Sequence, residues 1–166
     1  MLIRRARPED VDRIIELNNR EEKWVGEEVP EFFRDYIGRD IPILNVCEDR
    51  TLGVPIQGFI LVMDRSVDYE SRYFNWFKNY FDEQRGGSNF LYVDRVVIDP
   101  SMRKRGLAFM FYEAMRTALN EFPISAEVSI EPINLASVRF HEKCGFRKVG
   151  EFSSDGKKTC AMMVLD

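Results

Sequence analysis

The stretch richest in chemistry is Val96-Val97-Ile98-Asp99-Pro100-Ser101-Met102-Arg103-Lys104-Arg105-Gly106-Leu107-Ala108. An apolar run stops at Asp99-Pro100, three basic residues follow, and Gly106 and Ala108 open a run with helical spacing. The first N–H groups of a helix have no partners inside it, and the helix dipole resembles about half a positive charge there. Gly106 lets a phosphate approach the backbone, Ala108 keeps the first turn uncrowded, and Arg103, Lys104 and Arg105 add local positive charge. Such an arrangement can cradle a pyrophosphate. The same residues also describe a solvated basic turn, and this stretch alone leaves both readings open. Neither G-x-x-x-x-G-K-[ST] nor G-x-G-x-x-G occurs.

Other reactive residue types carry less. Cys47, Cys144 and Cys160 are odd in number, far apart and without a C-x-x-C pair. That predicts reduced thiols and argues against a disulfide framework or a zinc site. His141 is the single histidine, so no metal is expected. Cys144 follows Lys143 at a predicted helix C-terminus, where the dipole raises a thiol pKa, so it is not expected to act as a nucleophile. No G-x-S-x-G is present.

The whole chain bounds these readings. Its 166 residues match one domain, and 45% hydrophobic with 31% charged residues is ordinary globular usage, which excludes disorder. No apolar run reaches the roughly 20 residues that span a bilayer, so no membrane association is expected. Charges at Arg4 and Arg5, then Pro8-Glu9-Asp10, stand where a secretory signal would be apolar, which predicts a cytoplasmic protein. Lys and Arg number 24 against 28 Asp and Glu, a net charge of −4. A nucleic-acid partner is therefore not expected, and any anion site must be local.

Periodicity then places the elements. A short strand over Ile3–Ala6 leads into an amphipathic helix through Val11, Ile14, Ile15 and Leu17, and a shorter helix follows from Pro30 to Ile37. Two β-rich runs, Ile41–Cys47 and Ile56–Met63, form an antiparallel hairpin across a turn containing Gly53. Residues 66–88 place Tyr69, Tyr73, Phe74, Trp76, Phe77, Tyr80 and Phe81 among charges at helical intervals. This predicts an aromatic helix that either covers the core or forms a lid or wall over a substrate pocket. Asn89–Ile98 is a strong strand, residues 107–122 a long helix, Ile124–Ile130 a strand and Asn134–Lys143 a helix. Phe146–Phe152 and Thr159–Leu165 close the chain as strands. Residues 1–166 read as a single α/β domain, with no internal repeat or linker.

Arg103-x-x-Gly106-x-Ala108, preceded by an apolar strand and Asp-Pro, resembles the acetyl-CoA-binding motif [RQ]-x-x-G-x-[GA] of the GNAT N-acetyltransferase superfamily. Asn134-Leu135-Ala136-Ser137-Val138-Arg139-Phe140-His141-Glu142-Lys143-Cys144-Gly145-Phe146 resembles that family's second conserved segment, with His141 where a Tyr commonly stands. The opening Ile3-Arg4-x-Ala6-x-Pro8-Glu9-Asp10 is similar to its first strand and helix. Only 66–88 lies outside the common pattern.

The resemblance implies a mixed, mostly antiparallel twisted sheet of about six or seven strands flanked by about four or five helices. It implies acetyl-CoA as cosubstrate, with its pantetheine arm along Val96, Val97 and Ile98 and its pyrophosphate on the backbone of Arg103, Lys104, Arg105, Gly106, Leu107 and Ala108. Asn134 would hydrogen-bond the arm, Ser137 would let it pass, and His141 would lie near the thioester sulfur, as general acid or as structural neighbour. Asp94, at a position where many members carry a carboxylate, would serve as general base, directly or through water. The implied activity is transfer of acetyl to a primary amine of a small molecule, amino acid or peptide, in a ternary complex. A catalytically weak CoA-binding sensor or scaffold is the alternative, and a homodimer is compatible with either.

Overall fold

Alternation, turn chemistry and apolar runs build seven strands in the computed structural model, which describes residues 1–119 and 122–166. The strands are β1 (Leu2–Arg5), β2 (Ile43–Glu48), β3 (Ile56–Asp64), β4 (Leu91–Ile98), β5 (Ile124–Glu131), β6 (Arg147–Ser153) and β7 (Thr159–Leu165). Their order in one sheet is β1-β2-β3-β4-β5-β7-β6. The neighbours β1–β2, β2–β3, β5–β7 and β6–β7 are antiparallel. Between β4 and β5 the pairing is parallel, through Leu91↔Ile124 and Tyr92↔Ser125.

Six α-helices occur among the described residues: α1 (Val11–Arg20), α2 (Glu22–Val25), α3 (Pro30–Arg34), α4 (Arg72–Arg85), α5 (Leu107–Ala118) and α6 (Leu135–Lys143). The expected count falls short by α2, whose four residues are too few to carry a periodic signal. The long helix expected to reach residue 122 ends at Ala118, and residues 120–121 lie outside the described residues. No helix among the described residues is long and apolar enough to cross a membrane.

The contacts gather into two compact units. The first takes in Met1–Met63 and the described residues from Asp94 to Leu119. Its core combines Val11, Ile14 and Leu17 of α1 with Phe33 and the apolar strands β2 and β3, and Phe111 and Met115 of α5 are also buried. Gly58 in β3 is required by packing, since a Cβ there would sit 2.7 Å from the Val97 carbonyl oxygen.

The second unit takes in Asp64–Val93 and the described residues from Phe122 onward. Here the aromatic segment is core. Ser71 caps α4 by accepting from the Phe74 amide, and Gly86 ends it with φ 60°. Phe74, Phe77 and Phe81 are fully buried. Phe81 stacks on Phe90 at 4.4 Å between ring centroids. On β6, Gly150 leaves room for Trp76, whose ring would stand 2.6 Å from any Cβ there. Of the two expectations for 66–88, the core-covering helix accounts for every one of these contacts.

Candidate functional site

The basic stretch folds as a turn and a helix start. Asp99 caps a 3-10 turn over Pro100–Met102, accepting from the Ser101 amide at 2.9 Å and the Ser101 hydroxyl at 2.6 Å. Arg13 of α1 also donates to it. These donors, the Ser101 hydroxyl foremost, hold the Asp99 carboxyl below its ordinary pKa, so the turn stays charged and closed at neutral pH. Beyond the turn, Lys104 takes φ 63° and Gly106 φ 81°. Left-handed residues of this kind turn successive N–H groups toward an anion. Gly106 is the N-cap of α5 and has no side chain with which to cap the first turn. The twelve-residue α5 therefore starts with its orphan amides unclaimed by a capping side chain.

The arginines divide their work. Arg103 donates from Nε to the Ile98 carbonyl at 3.3 Å and pairs with Glu21 through Nη2. Its side chain thus braces the loop, and Lys104 and Arg105 remain exposed. Along β4, Val93, Arg95 and Val97 are buried while Asp94, Val96 and Ile98 are half-buried, the alternation a strand imposes. Asp94 does not stand alone. Its Oδ2 accepts from Arg95 Nε at 2.6 Å, and the Asp94 side chain is 7% exposed.

In the second unit, α6 aligns the downstream motif on one face. Asn134 is its N-cap, with Oδ1 accepting from the Ser137 amide at 3.2 Å. His141 Nδ1 lies 2.8 Å from the Ser137 carbonyl and 3.3 Å from the Ser137 hydroxyl. The carbonyl can only accept, so Nδ1 carries the proton. The ring is 3% exposed and meets Phe140 and Phe146 edge-on. Burial pushes its pKa down, opposed by the bond to Ser137, so the ring is neutral at neutral pH.

This gives a prediction with a definite sign. Unfolded histidine takes up a proton near pH 6.5 while the folded ring resists it, so the unfolded chain binds more protons as pH falls. Stability is expected to decline below about pH 6.5. His141→Phe, which removes the only histidine, should flatten urea midpoints compared between pH 8 and pH 5. A midpoint slope over that interval unchanged by the substitution would contradict the assignment.

A model of the acetyltransferase (GNAT) family matches residues 11–146. The chain belongs to this family of acyltransferases. No curated protein sequence matches it. Among solved structures, NAA60 of Arabidopsis thaliana in complex with a bisubstrate analogue is similar, with TM-score 0.75 and 17% identity over 99% of this chain and 96% of that one. NAA60 in complex with acetyl-CoA gives TM-score 0.74 at 17% identity, covering 99% and 98%. A mutant spermidine N-acetyltransferase SpeG of Vibrio cholerae gives TM-score 0.67 and 19% identity, covering 99% and 92%. At such identities the likeness is one of fold.

Within the GNAT frame, sequence reading missed the partners that surround Asp94. Arg95 is 6% exposed and also donates to Asn18 Oδ1 at 3.0 Å and Glu28 Oε1 at 3.2 Å. Phe32 lies against its guanidinium, 4.8 Å from ring centroid to Cζ. Tyr36 feels the same centre. Burial and then the Asp94 charge push its phenol up. No motif announces these residues. The one available signal was an arginine on a buried strand, which must find acceptors.

Proposed function

We propose that this GNAT member is an acetyl-CoA-dependent N-acetyltransferase that moves acetyl to a primary amine by direct attack within a ternary complex. The observation that carries the proposal is the start of α5, where left-handed Lys104 and Gly106 precede an N-terminus without a side-chain cap. That backbone suits a pyrophosphate. Acetyl-CoA, when bound, supplies the activated acyl carbon and a thiolate leaving group. The amides from Arg103 to Ala108 would hold its pyrophosphate, and the backbone of Val96, Val97 and Ile98 would hydrogen-bond its pantetheine arm. Asn134, whose Oδ1 caps α6, would offer Nδ2 to the arm, and Ser137 would leave it room. His141, neutral and held by Ser137, would stand near the thioester sulfur as a neighbour that excludes water.

Asp94 is the proposed base. An acceptor amine has a pKa near 10.4 when unperturbed, so it arrives as an ammonium and must lose a proton before attacking. A carboxylate on β4 can take that proton directly or through water. Residues 1–166 would act as one catalytic domain, with acceptors of the classes first expected, small-molecule, amino-acid or peptide amines. The SpeG neighbour is named for spermidine, one such amine. A second reading, a module that binds CoA without turnover, is favoured by the ion pair between Asp94 and Arg95.

Acetyl-CoA-dependent thiol release against polyamines, amino acids, aminoglycosides and N-terminal peptides separates the two. Turnover with one class establishes the enzyme. Silence together with calorimetric binding of acetyl-CoA favours the second reading, and silence without binding removes both. The loop has its own test. A β-branched residue at φ 81° costs on the order of 1–2 kcal/mol. Gly106→Val is therefore expected to weaken acetyl-CoA binding by about tenfold in calorimetry. An unchanged Kd would take the pyrophosphate away from this loop.

A further inference from the structure

Arg95 is a heavily engaged buried charge in the first unit. One guanidinium reaches Asp94 on its own strand, Asn18 at the end of α1 and Glu28 between α2 and α3. The segment it reaches is itself knitted together. Asn18 Nδ2 donates to the Gly26 carbonyl at 2.8 Å, and Asn19 holds both backbone groups of Glu28, accepting from its amide and donating to its carbonyl at 3.1 Å each. Phe32 and Phe33 close over the guanidinium at 4.8 and 5.8 Å. Asp94 and Glu28 thus share one guanidinium. A planar fork with fixed donor directions can serve three acceptors at once, which an ammonium on a flexible stem does not reproduce.

From this geometry we infer that Arg95 is a positioning residue, clamping the segment Asn18–Phe33 to the strand of Asp94 so that Glu28 and Asp94 receive the acceptor ammonium together. The inference rests on the reading of Asp94 as base. Arg95 does not touch the reacting atoms. It sets where Asp94 points, and through Glu28 it sets where the loop stands. Misplacing a reacting group by about 1 Å costs on the order of a hundredfold in rate, so a clamp of this kind is visible in kinetics. Glu28, half-buried beside it, supplies the second charge that an ammonium would meet.

The test uses the full chain with Arg95→Lys and Glu28→Gln, assayed with spermidine and with a tetrapeptide bearing a free N-terminus. Acetyl-CoA binding and hydrogen–deuterium exchange are measured beside the kinetics. Glu28→Gln, which leaves Arg95 its bonds to Asp94 and Asn18, should raise the amine KM about tenfold with kcat within about twofold. Arg95→Lys should raise that KM and also lower kcat by about tenfold or more. Acetyl-CoA Kd should stay within about twofold in both, and in Arg95→Lys the amides of 18–33 should exchange about tenfold faster.

Kinetics at wild-type values in Arg95→Lys, or unchanged exchange over 18–33, would overturn the clamp. Should Arg95→Lys fail to fold, Glu28→Gln decides, and an amine KM at the wild-type value overturns it. If neither amine turns over, the exchange result decides. Full activity in Asp94→Asn would instead remove the base reading, leaving the exchange measurement to judge the clamp.

Discussion

Asp94→Asn is expected to lower kcat/KM for the acceptor amine by about 10²–10⁴-fold, the worth of a general base. Asparagine keeps an oxygen that can still accept from Arg95 Nε, now 2.6 Å from the carboxylate, so the buried guanidinium retains a partner on β4. What disappears is the ability to take a proton. The loss should therefore fall on kcat, with the Kd for acetyl-CoA unchanged, because the loop proposed to hold the pyrophosphate is a separate segment. Raising the pH should recover part of the rate, since free amine becomes more abundant as the solution approaches the amine pKa. A variant with wild-type kcat/KM across the pH range would take Asp94 out of the chemistry and leave its carboxylate as a partner for Arg95 alone.

Phe81→Ala is expected to destabilise the protein by about 3–5 kcal/mol, the range for emptying a buried aromatic site. Phe81 is fully buried, stacked at 4.4 Å on Phe90, and covered by the Arg85 guanidinium 5.4 Å from its centroid. Urea unfolding followed by circular dichroism measures the loss directly. The number also discriminates between the two expectations for the aromatic segment. A helix that detaches as a lid would open without disturbing the rest, and truncating its underside would then cost less than about 1 kcal/mol globally. A loss in the full range makes α4 part of the cooperative core.

These two residues mark the boundary of what could be read in advance. The aromatic helix was legible because Phe74, Phe77 and Phe81 recur at three and four residues, one face of a 3.6-residue period. Whether that face met a core or a substrate was not, because a buried surface and a ligand wall ask for the same side chains. The hairpin β2–β3 and the start of α5 were legible for a similar reason. Apolar runs, Gly53, Asp99-Pro100 and Gly106 act within a few residues of where they sit.

Arg95 and His141 were not open to that kind of reading. Period-two alternation puts Asp94 and Arg95 on opposite faces of β4, and nothing local says that the long arginine stem lets Nε reach back to its neighbour. Its other partners stand 77 and 67 residues away in the chain. Arg103 seemed a phosphate ligand by charge, yet its guanidinium is taken up by Glu21, 82 residues earlier. His141 could be placed on the face of Asn134 and Ser137 by spacing, while the burial that keeps it neutral depends on Phe146 and the packing around α6. The sequence by itself determined most of the order of elements, because turns and periodicity act over a few residues, and its two motifs carried the family resemblance. Only the tertiary structure decided which charges face one another and which are dry, because pairing and desolvation depend on distance in space.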